Sequence, residues 1–438
     1  MDLQALKQEE FSNQFLFFEN YQKANLTRIQ KDLQDYFEKT DQDIFLSKWR
    51  KENHYIPDGF KNRTILTIFG SITYKRRIYK YWHQSRYQYI CLTDKKLEIE
   101  KYSRVTNHLK FKILEQISHG KRQRDICDSI EQANITTATI GNIIKSFDLY
   151  QSLKILTLQQ KPILIPNCLY INMDETYVKL RNNNKLNKYR IRLITFHTGY
   201  NQDTSTNKRK VLANKRVYWQ LFPITQKIDT KEFINNLKSI AKIFYANVDT
   251  SKIIIGGDGA PWIREASYYW SNSYYLLDKF HACRQLKKIF PNEVNNKNLE
   301  KYQISKNLFN LGLYSELITY LENNSPKLTS KEKQIKLEKV ISYFKNNSIG
   351  IINQKLQFNI GVSAEGDVSH IVKWLLGYGS KAFNYQTFKN MLLLRTADIN
   401  QIDIINYLKY ENHNKQKLTK ELYQKKYYYS SLNKIIYY

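Results

Sequence analysis

The chain has 438 residues and is 42% hydrophobic, enough material for about two to four cored domains. No apolar run reaches about 18 residues, which excludes a membrane-spanning helix. Lys and Arg number 69 against 40 Asp and Glu, a net charge of +29, and an excess this large and this widely spread points to a polyanionic partner, nucleic acid first.

The four cysteines, Cys91, Cys127, Cys168 and Cys283, form no C-x-x-C pair, so neither a zinc knuckle nor a disulfide framework is indicated. Met1-Asp2-Leu3-Gln4 does not open a signal peptide. A cytoplasmic, nucleoid-associated protein with reduced thiols is expected.

Residues 1–55 read as a helical arm. Leu3, Leu6, Phe11, Phe15, Phe18 and Tyr21 recur at roughly helical spacing, as do Leu26, Ile29, Leu33 and Phe37. Residues 56–100 change period. Thr64–Phe69 and Ile72–Trp82 are rich in β-branched and aromatic residues, with Gly70-Ser71 as a two-residue hairpin signal between them, and Tyr87–Cys91 adds a third strand. The second strand carries Lys75, Arg76 and Arg77 among tyrosines, a mixture suited to a DNA backbone. A solvated sheet face is the competing account of the same residues.

Residues 101–160 are expected to hold three helices in a helix-turn-helix layout. The middle helix covers about Lys121–Ala133. Thr136 caps the next, which carries Ile140, Ile143, Ile144 and Phe147 on one side. Thr137, Thr139, Asn142 and Lys145 then become the exposed DNA readers. Any small helical subdomain matches this pattern, and the charge is what favours DNA.

From residue 161 the grammar turns α/β. Strands are expected at Leu169–Val178, Tyr189–Phe196 and Val217–Ile224, a helix at about Thr230–Ala246, a strand from Ile253 to Asp258, and a short Tyr274–Leu277 strand feeding a helix near Lys279. Three strands, a helix, a strand, then a strand and more helix is the order of an RNase H-like core, placed at 161–290 and completed at 361–410. A lysine-rich helical insertion fills 291–360, and a basic tail covers 411–438. The overall class is α/β within a multidomain α+β chain.

Three acids stand out, and long stretches of chain separate them. Asp174 ends the first core strand, Asp258 ends the fourth among Gly256, Gly257 and Gly259, and Glu365 opens a later helix. Acids at strand ends with one on a helix can hold two divalent cations about 4 Å apart, and hard oxygen ligands favour Mg²⁺ or Mn²⁺. Singly, each acid has a bland alternative: a turn former, a cap, or a charge complementing a helix dipole. Glu175 and Asp367 are adjacent rivals. The three flanking glycines leave room for a metal or phosphate to come close. Helical spacing puts Glu365, Ser369 and Lys373 on one face, with Val368, Ile371, Val372 and Leu375 inward, so Lys373 joins the expected DNA-facing set.

The blocks Met173–Val178, Gly257–Ile263, Leu277–His281 and Ala364–His370, with the hairpin Thr67–Arg77, resemble bacterial insertion-sequence transposases of the ISLre type, a DDE group related to Mutator-like transposases. The similarity spans roughly residues 55–400. It implies an RNase H-like core, Asp174, Asp258 and Glu365 as catalytic metal ligands, and His281 of Asp278-x-x-His281 assisting near the site. It also implies two Mg²⁺ or Mn²⁺ ions, DNA partners (terminal inverted repeats and target) and a homo-oligomer on DNA. Trp262 is expected to pack rather than to stack on a base. After Val372 this chain departs from the family's Arg/Pro/Trp-rich segment, which leaves the DNA grip there open.

Overall fold

The computed structural model describes residues 14–83, 85–206, 210–291, 296–325, 331–377 and 382–413. The first thirteen residues of the expected arm, and the expected basic tail from residue 414 onward, lie outside them. The described chain forms two compact units: residues up to 117 with 121–146, and residues 118–120 with those from 147 onward.

In the first unit a helix, Gln14–Leu46, packs on a three-stranded antiparallel sheet of β1 (Ile56–Thr67), β2 (Gly70–His83) and β3 (Arg86–Ile90). Phe37 from the helix meets Ile65, Ile72 and Tyr74 in a buried cluster, edge-on to the Tyr74 ring at 5.0 Å. β1 begins earlier than its β-branched run suggests, because a bulge between Pro57 and Phe60, with Gly59 at φ +101°, bends the strand without ending it. The hairpin turn is Ile68-Phe69, not Gly70-Ser71: Thr67 pairs with Gly70. Gly70 holds φ +102° just after the turn, where a Cβ would lie 2.6 Å from the Gln30 amide nitrogen. Gln30 donates to the Phe69 carbonyl at 2.6 Å and locks that register from the helix.

The three expected helices follow as Asn107–Ser118, Gln123–Ser129 and Thr137–Lys145. The middle one is shorter than read, because a 3₁₀ turn at Glu131–Ala133 and left-handed Asn134 (φ 46°) end it. Thr136 caps the third helix, its hydroxyl accepting from the Thr139 N–H at 3.2 Å, and Ile140, Ile143 and Ile144 are buried.

The second unit is built on a mixed sheet of β4 (Cys168–Asn182), β5 (Lys185–His197), β6 (Arg216–Pro223), β7 (Lys252–Gly257) and β8 (Ser273–Leu277), in the order β6-β5-β4-β7-β8. β4, β5 and β6 pair antiparallel, while β7 pairs parallel to both β4 and β8. A short β9 (Phe383–Asn384) joins the far end of β4. β4 and β5 run longer than predicted because Asn183-Asn184, both at positive φ (48° and 61°), close them as one hairpin. From Ile253 to Gly257, β7 is buried throughout, as a parallel strand covered on both faces should be.

The Thr230–Phe244 helix starts at Asp229, whose carboxylate accepts from the Glu232 N–H, and buries Phe233, Ile234, Leu237 and Ile240. Helices Asn296–Asn310, Tyr314–Asn324 and Lys331–Asn346 occupy the expected insertion. The chain then returns at Ala364–Asp367, continues through a wide π turn at Val368–Lys373, and ends its described part with helices Tyr385–Ile399 and Ile404–His413. No helix among the described residues is long and apolar enough to cross a membrane.

Candidate active site

The site lies where the carboxyl end of β7 meets the middle of β4, and open sheets commonly bind ligands at the carboxyl ends of parallel strands. Asp174, expected at the end of its strand, stands inside β4, which continues eight residues further, to Asn182, as a hairpin with β5. Parallel pairing sets Asn172 beside Gly256 and Met173 beside Gly257, so the next step brings Asp174 alongside Asp258 just past the end of β7. Asp174 is 6% exposed, and its Oδ1 accepts from the Glu175 N–H at 2.7 Å. Asp258 Oδ1 accepts from the Ala260 N–H at 2.9 Å, which shapes the turn into the Pro261–Tyr269 helix.

Glu365 reaches the same place from the far side of the insertion. Its Oε2 lies 3.9 Å from His281 Nε2, and its Oε1 lies 3.3 Å from Lys373 Nζ. His281 Nδ1 is 2.7 Å from Asp278 Oδ2, while Asp278 Oδ1 caps the Lys279–Ile289 helix by accepting from the Phe280 N–H at 3.0 Å. The Asp278-x-x-His281 spacing therefore works as one turn of helix whose first acid orients the imidazole.

Electrostatics ties these groups together. Burial pushes the Asp174 carboxyl up to about 6; the charges of Asp258 and Glu365 add to the rise, and the Glu175 backbone bond and His281 oppose it. The hydrogen bond to Asp278 raises the His281 pKa against its burial, and the charges of Asp278, Asp258 and Asp174 raise it further. Among the described residues no group of three or more His, Cys, Asp or Glu side chains is placed to hold a metal ion as it stands. The acids share a field rather than a finished coordination sphere. A carboxyl raised by burial first and by neighbouring carboxylates second would be relieved by a hard divalent cation, and oxygen donors suit Mg²⁺ or Mn²⁺.

The two rival acids have partners of their own. Glu175 turns to the opposite face of β4, where its carboxylate meets Arg192 at 3.4 Å, Arg190 at 3.7 Å and the Tyr177 hydroxyl at 2.6 Å. Arg192 in turn lies 4.1 Å over the ring of Trp262, which packs edge-on against Phe233, so Trp262 is a packing residue as expected. Asp367 is buried against the Lys215 ammonium and the Ser363 hydroxyl.

The glycines around Asp258 correct the expectation of ligand room. A Cβ on Gly256 would lie 2.5 Å from Val362, one on Gly257 2.7 Å from Ile263, and one on Gly259 2.8 Å from Tyr343. The protein's own side chains fill the space they leave. Gly259 also needs its φ of +96°.

The expected DNA-facing residues divide. Lys75 is exposed, its ammonium 4.7 Å over the Phe60 ring. Arg76 and Arg77 are corrected from DNA contacts to structural cations. Strand alternation turns Arg76 inward with Tyr74, and both meet the buried Asp94 together with Arg63. Arg77 pairs with Asp41 at 2.6 Å and stacks over Phe45 at 4.2 Å. Thr137, Asn142 and Lys145 are exposed on the third helix, whereas Thr139 is half-buried with its hydroxyl 3.1 Å from that of Thr136. Lys373 lies on the face of Glu365 as expected, but pairs with that acid. Sequence reasoning missed Asn172 and Ser363, which bond β4 to the returning segment at 2.9 Å. Their only sequence signal is that each stands two positions before a predicted ligand.

Three UPF0236 proteins of Caldanaerobacter subterraneus subsp. tengcongensis are similar to this chain. Each is 28% identical, over 380, 384 and 380 residues, covering 84% of this chain and 74%, 74% and 70% of the respective relatives. The model of UPF0236, described as an uncharacterised protein family, matches residues 18–413, and the chain belongs to that family.

Proposed function

We propose that this protein is a DNA transposase of an insertion sequence, with an RNase H-like catalytic core in its second unit. The observation that carries the reading is the approach of Asp174, Asp258 and Glu365, distant in sequence, around the carboxyl end of β7 and the middle of β4. The strand order β6-β5-β4-β7-β8, three antiparallel strands followed by two parallel ones, favours the same core. A net charge of +29 and a capped, partly exposed third helix in the first unit favour DNA as the partner. The names of two relatives join several locus designations of one bacterium, which suits a gene that spreads as copies.

In this reading Asp174, Asp258 and Glu365 hold two Mg²⁺ or Mn²⁺ ions. Those ions supply charge neutralisation at the scissile phosphate and lower the pKa of the attacking oxygen. Asp174, buried and with a pKa raised to about 6, would be held in its carboxylate form by a bound cation. His281, oriented by Asp278, which also raises its pKa, stands beside Glu365 to donate a hydrogen bond to a phosphate oxygen. In cleavage, water oxygen bonds to phosphorus and the 3′-oxygen leaves as a hydroxyl. In transfer, that hydroxyl forms the new phosphodiester and the target's 3′-oxygen departs. Thr137, Asn142, Lys145 and Lys75 contact element ends. Pairing two ends calls for a homo-oligomer on DNA, at the nucleoid of a bacterial cytoplasm.

The test is Mg²⁺-dependent reaction of DNA carrying the element ends with wild type and Asp258→Asn. Wild type should cut and join, and the variant should lose at least about a hundredfold in rate. Equal cleavage by both sinks the mechanism. Cleavage that never leads to joining makes the protein an RNase H-like nuclease. Binding without any cleavage makes it a non-catalytic DNA-binding protein.

A further inference from the structure

Glu365 presents a delivery problem. It arrives after the long helical excursion, on a short Ala364–Asp367 helical turn that cannot place itself. The residues just before it are fastened at four successive points, three on the sheet and one on the loop after β5. The Tyr170 hydroxyl donates to the Phe358 carbonyl at 2.8 Å, and the Tyr200 hydroxyl to the Ile360 carbonyl at 2.8 Å. Val362 seats against Gly256 of β7, at a spot where any side chain would collide. Asn172 Nδ2 then donates to Ser363 Oγ at 2.9 Å.

The last contact is the one nearest the acids. Asn172 and Asp174 lie two apart on β4 and so face the same side, and Ser363 precedes Glu365 by two. Each partner of this bond is itself held. The second Asn172 amide proton points to His197 Nε2 at 3.2 Å, and His197, 1% exposed, stacks on Tyr170 with ring centroids 5.0 Å apart. Burial lowers the His197 pKa to about 4, which leaves its ring neutral. On the other side Ser363 Oγ donates to Asp367 Oδ2 at 3.3 Å, and Asp367 pairs with Lys215. Between strand and helix, Asn172 donates to Ser363 and Ser363 donates to Asp367.

We propose that Asn172 and Ser363 are positioning residues, whose hydrogen bond sets Glu365 opposite Asp174 at the end of the segment seated by Tyr170, Tyr200 and Gly256. The metal-holding role of Glu365 in this inference rests on the function proposed above; the fastening of the segment does not. Partners that orient a ligand in this way typically govern metal affinity by about tenfold or more.

The experiment uses the full chain as wild type, Asn172→Ala, Ser363→Ala, the double variant and Ser363→Thr. Deuterium uptake over residues 358–370 reports fastening, and a Mn²⁺ titration followed by electron paramagnetic resonance reports ligand placement. Both alanine variants should speed exchange in that segment and weaken Mn²⁺ binding about tenfold. The double variant should be no worse than either single, and Ser363→Thr, which keeps the hydroxyl, should behave as wild type. Unchanged uptake in Ser363→Ala overturns the fastening whatever the metal result. Faster uptake with unaltered Mn²⁺ affinity overturns the positioning of Glu365. Wild type that binds no Mn²⁺ rejects the metal reading of the site and the positioning claim with it, while uptake still decides the fastening.

Discussion

Two buried aspartates, one in each unit, show opposite uses of the same side chain. Asp94 in the first unit is 7% exposed and is gripped by Arg63, Arg76 and the Tyr74 hydroxyl. Asp174 in the second unit is 6% exposed and has other acids for neighbours, with Asp258 and Glu365 both raising its pKa. A buried carboxylate matched by guanidinium groups is a structural joint. One that is buried with acids nearby and no cation paired to it is destabilising once ionised, and a bound cation would relieve it.

The largest effect that tests this contrast is on activity. Glu365→Gln or Asp174→Ala should reduce strand cutting at least about a hundredfold while the protein stays folded by circular dichroism. Full activity in either variant would return these acids to the status of ordinary polar residues. Next comes stability in the first unit. Asp94→Ala leaves two buried guanidiniums unmatched and should cost about 3–5 kcal/mol, read from denaturant unfolding. A loss under about 1 kcal/mol would erase the distinction drawn between the two aspartates.

Asp174→Asn should act in the opposite direction in metal-free buffer. The folded-state pKa of Asp174 is about 6, above the ordinary 3.8, so the folded protein holds this proton more tightly than the unfolded chain. Its contribution is therefore lost as pH rises from about 4 through about 6, and Asp174→Asn recovers it. The variant should match wild type near pH 3.5 and exceed it by up to about 3 kcal/mol above pH 6.5. A variant less stable than wild type at neutral pH would contradict the burial and repulsion assigned to Asp174. Mn²⁺ at about a hundred times its dissociation constant should stabilise wild type by about 2.7 kcal/mol and leave Asp174→Asn nearly unmoved. The smallest effect is at the third helix of the first unit. Lys145→Ala should lower the slope of log affinity against log salt by about one for DNA of any sequence. An unchanged slope would remove Lys145 from the DNA surface.

Much of the fold was legible because period and punctuation are local properties. The alternating run at Ile72–Trp82, the Thr136 cap and the apolar run at Ile253 each state their own element. Errors fell where a distant residue intervened. Gln30 sets the Ile68-Phe69 turn from the first helix, and Val362, Ile263 and Tyr343 occupy the room left by the glycines. Arg76 and Arg77 read as a basic stripe, but Asp94 and Asp41 lie beyond the reach of any window containing that strand.

By itself the sequence determined where several helices begin, that Asp258 follows the end of its strand, and that an Asp-x-x-His pair opens a helix, while Asp174, expected at a strand end, stands inside β4. Only the tertiary structure decided that Asp174 rather than Glu175 faces the site, because strand alternation defines two faces and not which one meets Asp258. It also decided that Glu365 rather than Asp367 reaches the acids, since Lys215 and Ser363 hold Asp367 elsewhere. Both choices depend on contacts between residues far apart in the chain, such as Asn172 and Ser363, and no local pattern encodes such contacts.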